Sequence, residues 1–134
     1  MAMSDNLPQV LLVEDEFLVR DLLQGALEDA GFECISANSG DAAIDLLQRP
    51  TGELVGVVTD INLGGETTGW DVGRAARHTD LHVAVVYMSG GSAYEWAAEG
   101  VPGSAILAKP FSPAQLVVAL AAQLNNVGSS FGEA

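Results

Sequence analysis

Short continuous apolar runs alternate along this chain with longer stretches in which apolar residues recur at helical spacing. Val10-Leu11-Leu12-Val13 is the first run, and it stops at Glu14-Asp15-Glu16. Apolar residues at 18, 19, 22, 23, 26, 27 and 30 then predict a helix over 17–30. Gly31 follows where a helix C-terminus favours glycine. Residues 32–37 read as a second strand. Ser39 is an N-cap for a second helix, whose apolar face is Ala42, Ala43, Ile44, Leu46 and Leu47 and which Pro50 and Gly52 end. Leu54 to Thr59 is a third run, closed by Asp60, and a loop rich in Gly and Thr leads to a helix over 70–78. The fourth run, Val83 to Met88, stops at Ser89-Gly90-Gly91. Residues 93–99 allow only a short helix, closed by Gly100. Ala105 to Ala108 is the fifth run, stopped by Lys109-Pro110. Ser112 then caps a final helix reaching about Leu124, with Pro113 at its first position.

Five apolar strands, each followed by a helix, imply an α/β protein whose parallel sheet is covered on both faces. With right-handed crossovers, the expected architecture is a flavodoxin-like (βα)5 doubly wound sheet in the order 2-1-3-4-5.

The chain has 134 residues, which fits one domain. Five basic against eighteen acidic residues leave a net charge of −13, which argues against electrostatic binding to nucleic acid or to an anionic membrane. Cys34 is the single cysteine, so an internal disulfide and a multi-cysteine zinc site are excluded, and its apolar neighbours mark it as a small buried hydrophobe. The first thirteen residues lack the basic region of a signal peptide, and no apolar run approaches the roughly 20 residues of a membrane helix. A cytoplasmic protein is the expectation.

Ligands of open parallel sheets bind beyond the carboxyl ends of the strands. The first strand ends in Glu14-Asp15-Glu16, the third in Asp60-Ile61-Asn62, the fourth in Ser89-Gly90 and the fifth in Lys109-Pro110. The second offers only Asn38-Ser39. With the first strand central and the third beside it, Glu14, Asp15 and Asp60 converge. Carboxylates so close repel one another. A divalent cation offsets that repulsion, and oxygen ligands with several waters suit Mg²⁺, with Mn²⁺ as an alternative. Lys109, the only lysine, suits an ion pair to a carboxylate and then to a phosphoryl oxygen. The Ser89 hydroxyl can donate to the same anion, although serine there also reads as a turn residue. Together these parts make a phosphoryl-transfer site in which a carboxylate attacks phosphorus and the cation and lysine neutralise charge. A solvated acidic rim is the bland alternative.

Val13-Glu14-Asp15, Val58-Thr59-Asp60-Ile61-Asn62-Leu63, Tyr87-Met88-Ser89-Gly90 and Ala108-Lys109-Pro110-Phe111 stand in order at successive strand ends. With these motifs the chain resembles a response-regulator receiver domain of two-component signalling, of stand-alone type, over about Gln9 to Leu124. The resemblance implies roles. Asp60 matches the phosphorylated aspartate. Asp15 and Asp60 match Mg²⁺ ligands, Asn62 matches a position whose backbone carbonyl binds the metal, and Glu14 matches an acid acting through water. Ser89 matches the switch hydroxyl and Lys109 the family's lysine, with Lys109-Pro110 as a cis-peptide candidate. Gly69 and Trp70 match the loop before the third helix. The implied phosphoryl donor is a phosphohistidine of a sensor histidine kinase or a histidine phosphotransfer protein. Phosphorylation would bias two states of the face formed by the fourth helix, fifth strand and fifth helix. That face would control an unknown downstream protein, or the chain would serve as a phosphate shuttle or sink. Such a domain catalyses only its own phosphorylation and dephosphorylation and is not otherwise an enzyme. Residues 1–7 are then an N-terminal extension, 8–125 the receiver domain and 126–134 a short flexible tail.

Two departures stand out. The family carries an aromatic switch residue in the fifth strand, three residues before the lysine, where this chain has Ile106. Tyr87-Met88-Ser89-Gly90 is similar to the start of a Phe-Ala-Thr-Gly-apolar-Tyr motif in a subgroup of stand-alone receivers that also lacks that aromatic, but Gly91-Ser92 does not complete it. That subgroup is linked to bacterial stress signalling. The second departure is the segment Gly90 to Gly103, with Gly90, Gly91, Gly100 and Gly103 around a helix too short to stand alone. It predicts a mobile fourth helix, ordered by phosphorylation or a partner. Tyr94 and Trp96 lie in it as substitutes for the missing switch, as partner contacts or as packing residues.

The alternatives are weaker on chemistry. A Ca²⁺ loop from Asp60 to Asp71 lacks an oxygen at Gly64. A small Mg²⁺-dependent phosphatase with an aspartyl intermediate needs an acid where Asn62 stands. A flavodoxin would have its cofactor phosphate repelled by Glu14-Asp15-Glu16. A degenerate receiver acting as a phosphorylation-independent docking module would not need Asp15, Asp60, Ser89 and Lys109 together. His78 and His82 flank a turn and read as surface residues.

Overall fold

The computed structural model describes residues 7–49 and 54–132, with residues 127–132 described by backbone alone. Five parallel strands form one sheet in the order β2-β1-β3-β4-β5: β1 (Gln9–Val13), β2 (Glu33–Ala37), β3 (Leu54–Asp60), β4 (Ala84–Ser89) and β5 (Ala105–Ala108). Between and after them run α1 (Phe17–Asp29), α2 (Gly40–Leu47), α3 (Gly69–Thr79), α4 (Trp96–Glu99) and α5 (Pro113–Gly132). This is the flavodoxin-like doubly wound arrangement expected from the sequence.

The strand period of two sorts the apolar residues into two cores. Leu11, Val13, Val57, Val85 and Tyr87 pack on Ala43, Leu47, Trp70, Val72 and Ala76 of α2 and α3. Val10, Leu12, Val58, Ala84, Val86 and Met88 pack on Leu23 and Leu27 of α1 and on Leu116 and Leu120 of α5. Both sets are buried because both faces of the sheet are covered, which is why the strands read as unbroken apolar runs. Cys34 is half-buried against the α1/α5 core, and burial pushes its thiol up to about 11, so it stays protonated and inert at neutral pH.

Caps fix where helices begin and end. The Ser39 Oγ accepts from Ala42 N at 3.1 Å. Thr68 and Asp71 form a reciprocal capping box at the start of α3. Ser112 and Gln115 exchange bonds of the same kind before α5: Ser112 N donates to Gln115 Oε1 at 2.7 Å and Gln115 N to Ser112 Oγ at 3.3 Å. Gly31 takes φ +100° just past α1, where a Cβ would be strained.

Two elements differ from the sequence reading. The short fourth helix begins as a 3₁₀ turn over Ala93–Glu95, and only Trp96–Glu99 is α-helical. The helical backbone of α5 continues to Gly132, past the expected end near Leu124 and through most of the segment read as a tail from 126. No proline follows Pro113 to break it, and Gly128 costs a helix only about 1 kcal/mol. The helix α2 ends at Leu47, the last residue of its expected apolar face, and the stop signals Pro50 and Gly52 lie outside the described residues.

Candidate functional site

The register of the sheet brings the strand ends together. Val13 pairs with Thr59, Asp60 with Met88, and Ser89 with Ala108, so Glu14, Asp60, Ser89 and Lys109 emerge at one edge. Backbone bonds carry the ladder one residue further: Glu14 N to Ala37 O at 3.1 Å, Ile61 N to Met88 O at 3.0 Å and Lys109 N to Ser89 O at 2.8 Å. The site therefore stands on the last rung of four paired strands rather than on free loops.

Glu14, Asp15 and Asp60 each present a carboxylate oxygen to a common point, these oxygens lying within 4.8 Å of one another. Glu14 and Asp60 are 1% and 5% exposed, whereas Asp15 is open to solvent. Lys109 Nζ donates to Asp60 Oδ2 at 2.9 Å and stands 3.7 Å from Glu14 Oε1. Burial lowers the proton affinity of the Lys109 ammonium, but its hydrogen bond to Asp60 and the charges of Asp60 and Glu14 outweigh this and hold it above its ordinary value.

Glu14 is the strained member. Its Oε2 accepts from Glu16 N at 3.1 Å, but its Oε1 is buried without a hydrogen-bond partner. Burial, reinforced by the Asp60 charge, pushes the Glu14 carboxyl up to about 7 from 4.5, against the pull of the Glu16 amide and Lys109. An orphaned carboxylate oxygen in a converging set of three acids, all hard oxygen donors, fits a Mg²⁺-class ion.

The loop after β3 closes round this cluster. A Cβ built on Gly64 would come within 3.5 Å of Asp15 Oδ2, so the loop carrying Asn62 passes directly over Asp15. The Asn62 side chain is exposed. Gly69 starts α3 against the back of Asp60: a Cβ there would fall 2.1 Å from the Asp60 carbonyl oxygen. Gly69 N also donates to Ile61 O at 2.8 Å.

Ser89 sits at the edge but its hydroxyl is turned to its own loop, accepting from Ser92 N at 2.7 Å and Gly91 N at 3.2 Å. The Lys109–Pro110 peptide bond is cis. Ile106 is half-buried against the core that holds Tyr87. Tyr94 is 83% exposed, and Trp96, at 36%, donates through Nε1 to Ser104 Oγ at 2.9 Å. Asp71 is committed elsewhere: the Thr68 backbone and Arg74 hold its carboxyl below the usual range, so it caps α3 instead of closing a calcium loop. His78 and His82 are both exposed.

The sequence reading placed Tyr87 in a strand-end motif but gave it no role of its own. Tyr87, fully buried, stacks at a tilt on Trp70 with ring centroids 4.7 Å apart, and its hydroxyl accepts from Val101 N at 3.2 Å. Tyr87 is visible as an apolar strand position but its tie to Val101 spans fourteen residues, which no local pattern reports.

The model of the response regulator receiver domain family matches residues 10–121. Among curated proteins, the alginate biosynthesis transcriptional regulatory protein AlgB of Pseudomonas putida is 37% identical over 123 residues, covering 90% of this chain and 27% of that protein. The sensor kinase CckA of Brucella abortus is 36% identical over 110 residues, covering 80% of this chain and 11% of that protein. The chain thus spans about a quarter or less of the length of these relatives. Among solved structures, a response regulator receiver protein from Sinorhizobium medicae superposes with a TM-score of 0.85 at 42% identity, covering 91% of this chain and 98% of that one. No helix among the described residues is long and apolar enough to cross a membrane. On the family match, the shared fold and the acid–lysine cluster at its strand ends, this chain belongs to the response regulator receiver domains, the phosphoacceptor modules of two-component signalling.

Proposed function

We propose that Asp60 accepts a phosphoryl group from a phosphohistidine, in a site held by Asp15, Glu14 and Lys109. One observation carries this reading: Lys109 Nζ lies 2.9 Å from Asp60 Oδ2 at the mouth of a three-carboxylate cluster. The lysine engages one Asp60 oxygen and leaves the other for attack. As the new P–O bond forms, the P–N bond to the donor imidazole breaks and its electron pair returns to the ring nitrogen. Lys109 is then free to pair with a phosphoryl oxygen, so its charge stays compensated throughout the transfer. Asp15, Asp60 and the Asn62 carbonyl would ligate Mg²⁺ or Mn²⁺, with Glu14 acting through water, and the bound ion supplies neutralisation of charge on the transferring oxygens. Ser89 would exchange its loop amides for the phosphoryl group.

The donor class follows from the family: a sensor histidine kinase or a histidine phosphotransfer protein. The output is a change on the face formed by α4, β5 and α5, read by a protein partner or used to move phosphate onward. The chain turns over no substrate beyond its own aspartyl phosphate. The net charge of −13 supports protein partners in preference to nucleic acid or an anionic membrane.

Intact mass after incubation with acetyl phosphate and Mg²⁺ tests the reading. The native chain gains a single Mg²⁺-dependent phosphoryl adduct, and Asp60→Asn gains none. Absence of an adduct on the native chain, both with acetyl phosphate and with a phosphorylated histidine phosphotransfer domain, overturns it.

A further inference from the structure

The helix α4 is four residues long, too short to be stable alone, and it is suspended between two points on one strand. Tyr87 and Ser89 are two residues apart on β4 and so project to the same face of the sheet, the face that carries α3. Before α4, the Ser89 hydroxyl accepts from Gly91 N and Ser92 N. After α4, the Tyr87 hydroxyl accepts from Val101 N at 3.2 Å. The two anchors differ in what surrounds them. Ser89 is a small, buried side chain at the strand end beside the site, and rotation about one bond redirects its hydroxyl. Tyr87 is boxed: Trp70 lies against its ring, and Gly73 leaves so little room that a Cβ there would fall 2.1 Å from the Tyr87 oxygen.

Further ties converge on the same side of α4. Arg74 NH1 donates to the Glu99 carbonyl at 3.1 Å and to its carboxylate at 3.2 Å. Arg77 donates to the Pro102 and Val83 carbonyls. Trp96 Nε1 donates to Ser104 Oγ, which in turn donates to Val101 O at 2.6 Å. Val101 is thus held at both its N–H and its carbonyl, by Tyr87 of β4 on one side and by Ser104, itself bonded to the α4 indole, on the other.

From this asymmetry we propose that Tyr87 is the positioning residue of the switch: a fixed pivot that holds Val101 while α4 swings whenever Ser89 changes partners. Ile106, an aliphatic side chain in β5, has no hydroxyl with which to hold Val101. The inference rests on Asp60 being the phosphoacceptor, which provides Ser89 with its second partner. Its distinctive content is that the end of α4 stays pinned in both states while the beginning is released, with Trp96, the first residue of α4 and bonded through its indole to Ser104 at the pinned end, as the reporter of the swing.

The test is an amide and indole NMR comparison of the full chain with Mg²⁺ alone and with Mg²⁺ and beryllofluoride, alongside hydrogen exchange. In the native chain the Ser92 amide and the Trp96 indole shift on addition of beryllofluoride, while the Val101 amide remains slow to exchange in both states. In Tyr87→Phe the phosphoryl adduct on Asp60 still forms and Ser92 still shifts. Exchange at Val101 speeds up about tenfold or more in that variant, and the Trp96 response falls several-fold. A purely packing role for Tyr87 would leave Val101 exchange and the Trp96 response as in the native chain, and that result overturns the proposal. Should Tyr87→Phe fail to fold, the native chain still decides: a Val101 amide that loses protection together with Ser92 removes the pivot. A native chain that takes neither beryllofluoride nor acetyl phosphate refutes the phosphoacceptor reading itself, and the pivot with it. An adduct without any change at Trp96 refutes the pivot alone.

Discussion

Glu14 decides how this site responds to pH. Its carboxyl titrates at about 7 in the folded chain because burial and Asp60 disfavour its charge. A group raised in this way binds more protons folded than unfolded between its two values. Its stabilising effect is complete below about pH 4.5 and is lost as pH rises through about 7. In the absence of divalent ions, thermal unfolding should therefore show stability falling from pH 5 to 7, and Glu14→Gln should flatten that slope. A cation competes with the same proton, so Mg²⁺ affinity should climb by up to about tenfold per pH unit below pH 7 and level off above it. Calorimetric titration at pH 6, 7 and 8 checks this. In Glu14→Gln the climb disappears and the affinity at pH 8 drops. The sequence shows Glu14 as an acid at a strand end, but its burial and orphaned oxygen depend on packing from β2, β3 and Lys109, which only the fold supplies.

Among the elements, the start of α3 is set by contact rather than by propensity. A Cβ at Gly69 would meet the Asp60 carbonyl oxygen at 2.1 Å and the Ile61 Cα at 2.7 Å, both backbone, so neither can yield without moving the site. Gly69→Ala should cost about 3 kcal/mol in urea unfolding and should slow acetyl phosphate uptake by displacing Asp60. Leu120 in α5, fully buried and 3.0 Å from the position a Gly56 Cβ would take, belongs to the other face. Leu120→Ala should lower stability by about 2–5 kcal/mol and leave the uptake rate of the folded fraction unchanged. The two variants thus separate the site from its support. Apolar period and caps made most helices legible: Ser39, Gly31 and Ser112 each stand where the structure uses them. The helix α4 was legible only as a short element between glycines. Its tethers come from Arg74, Arg77 and Tyr87, residues fourteen to twenty-five positions away, and local pattern cannot report such partners.

For the molecule as a whole, the sheet order was readable because five apolar runs with helices between them leave few topologies, and the site followed from that order. Glu14, Asp15, Asp60 and Lys109 meet because β1 and β3 are neighbours at the centre, a consequence of topology that holds before any side chain is placed. Charge also acts at this scale. With −13 on 134 residues, the folded chain repels itself, and its melting temperature should rise by a few degrees from about 10 to 200 mM NaCl. Mg²⁺ at matched ionic strength should stabilise further through the site, and Asp15→Asn should lose that extra gain but keep the salt response. The hydroxyl of Ser89, occupied by the Gly91 and Ser92 amides, has one more consequence. The side chain accepts from these amides in one rotamer and would donate to a phosphoryl oxygen in another, so the exchange obeys thermodynamic reciprocity. Whatever phosphorylation gives to the released pose of α4, a protein that grips α4 in that pose returns in equal measure to the phosphoryl–serine contact. Partner concentration then becomes a determinant of how long the chain keeps its phosphate, and the target of the signal is also one of the instruments that time it.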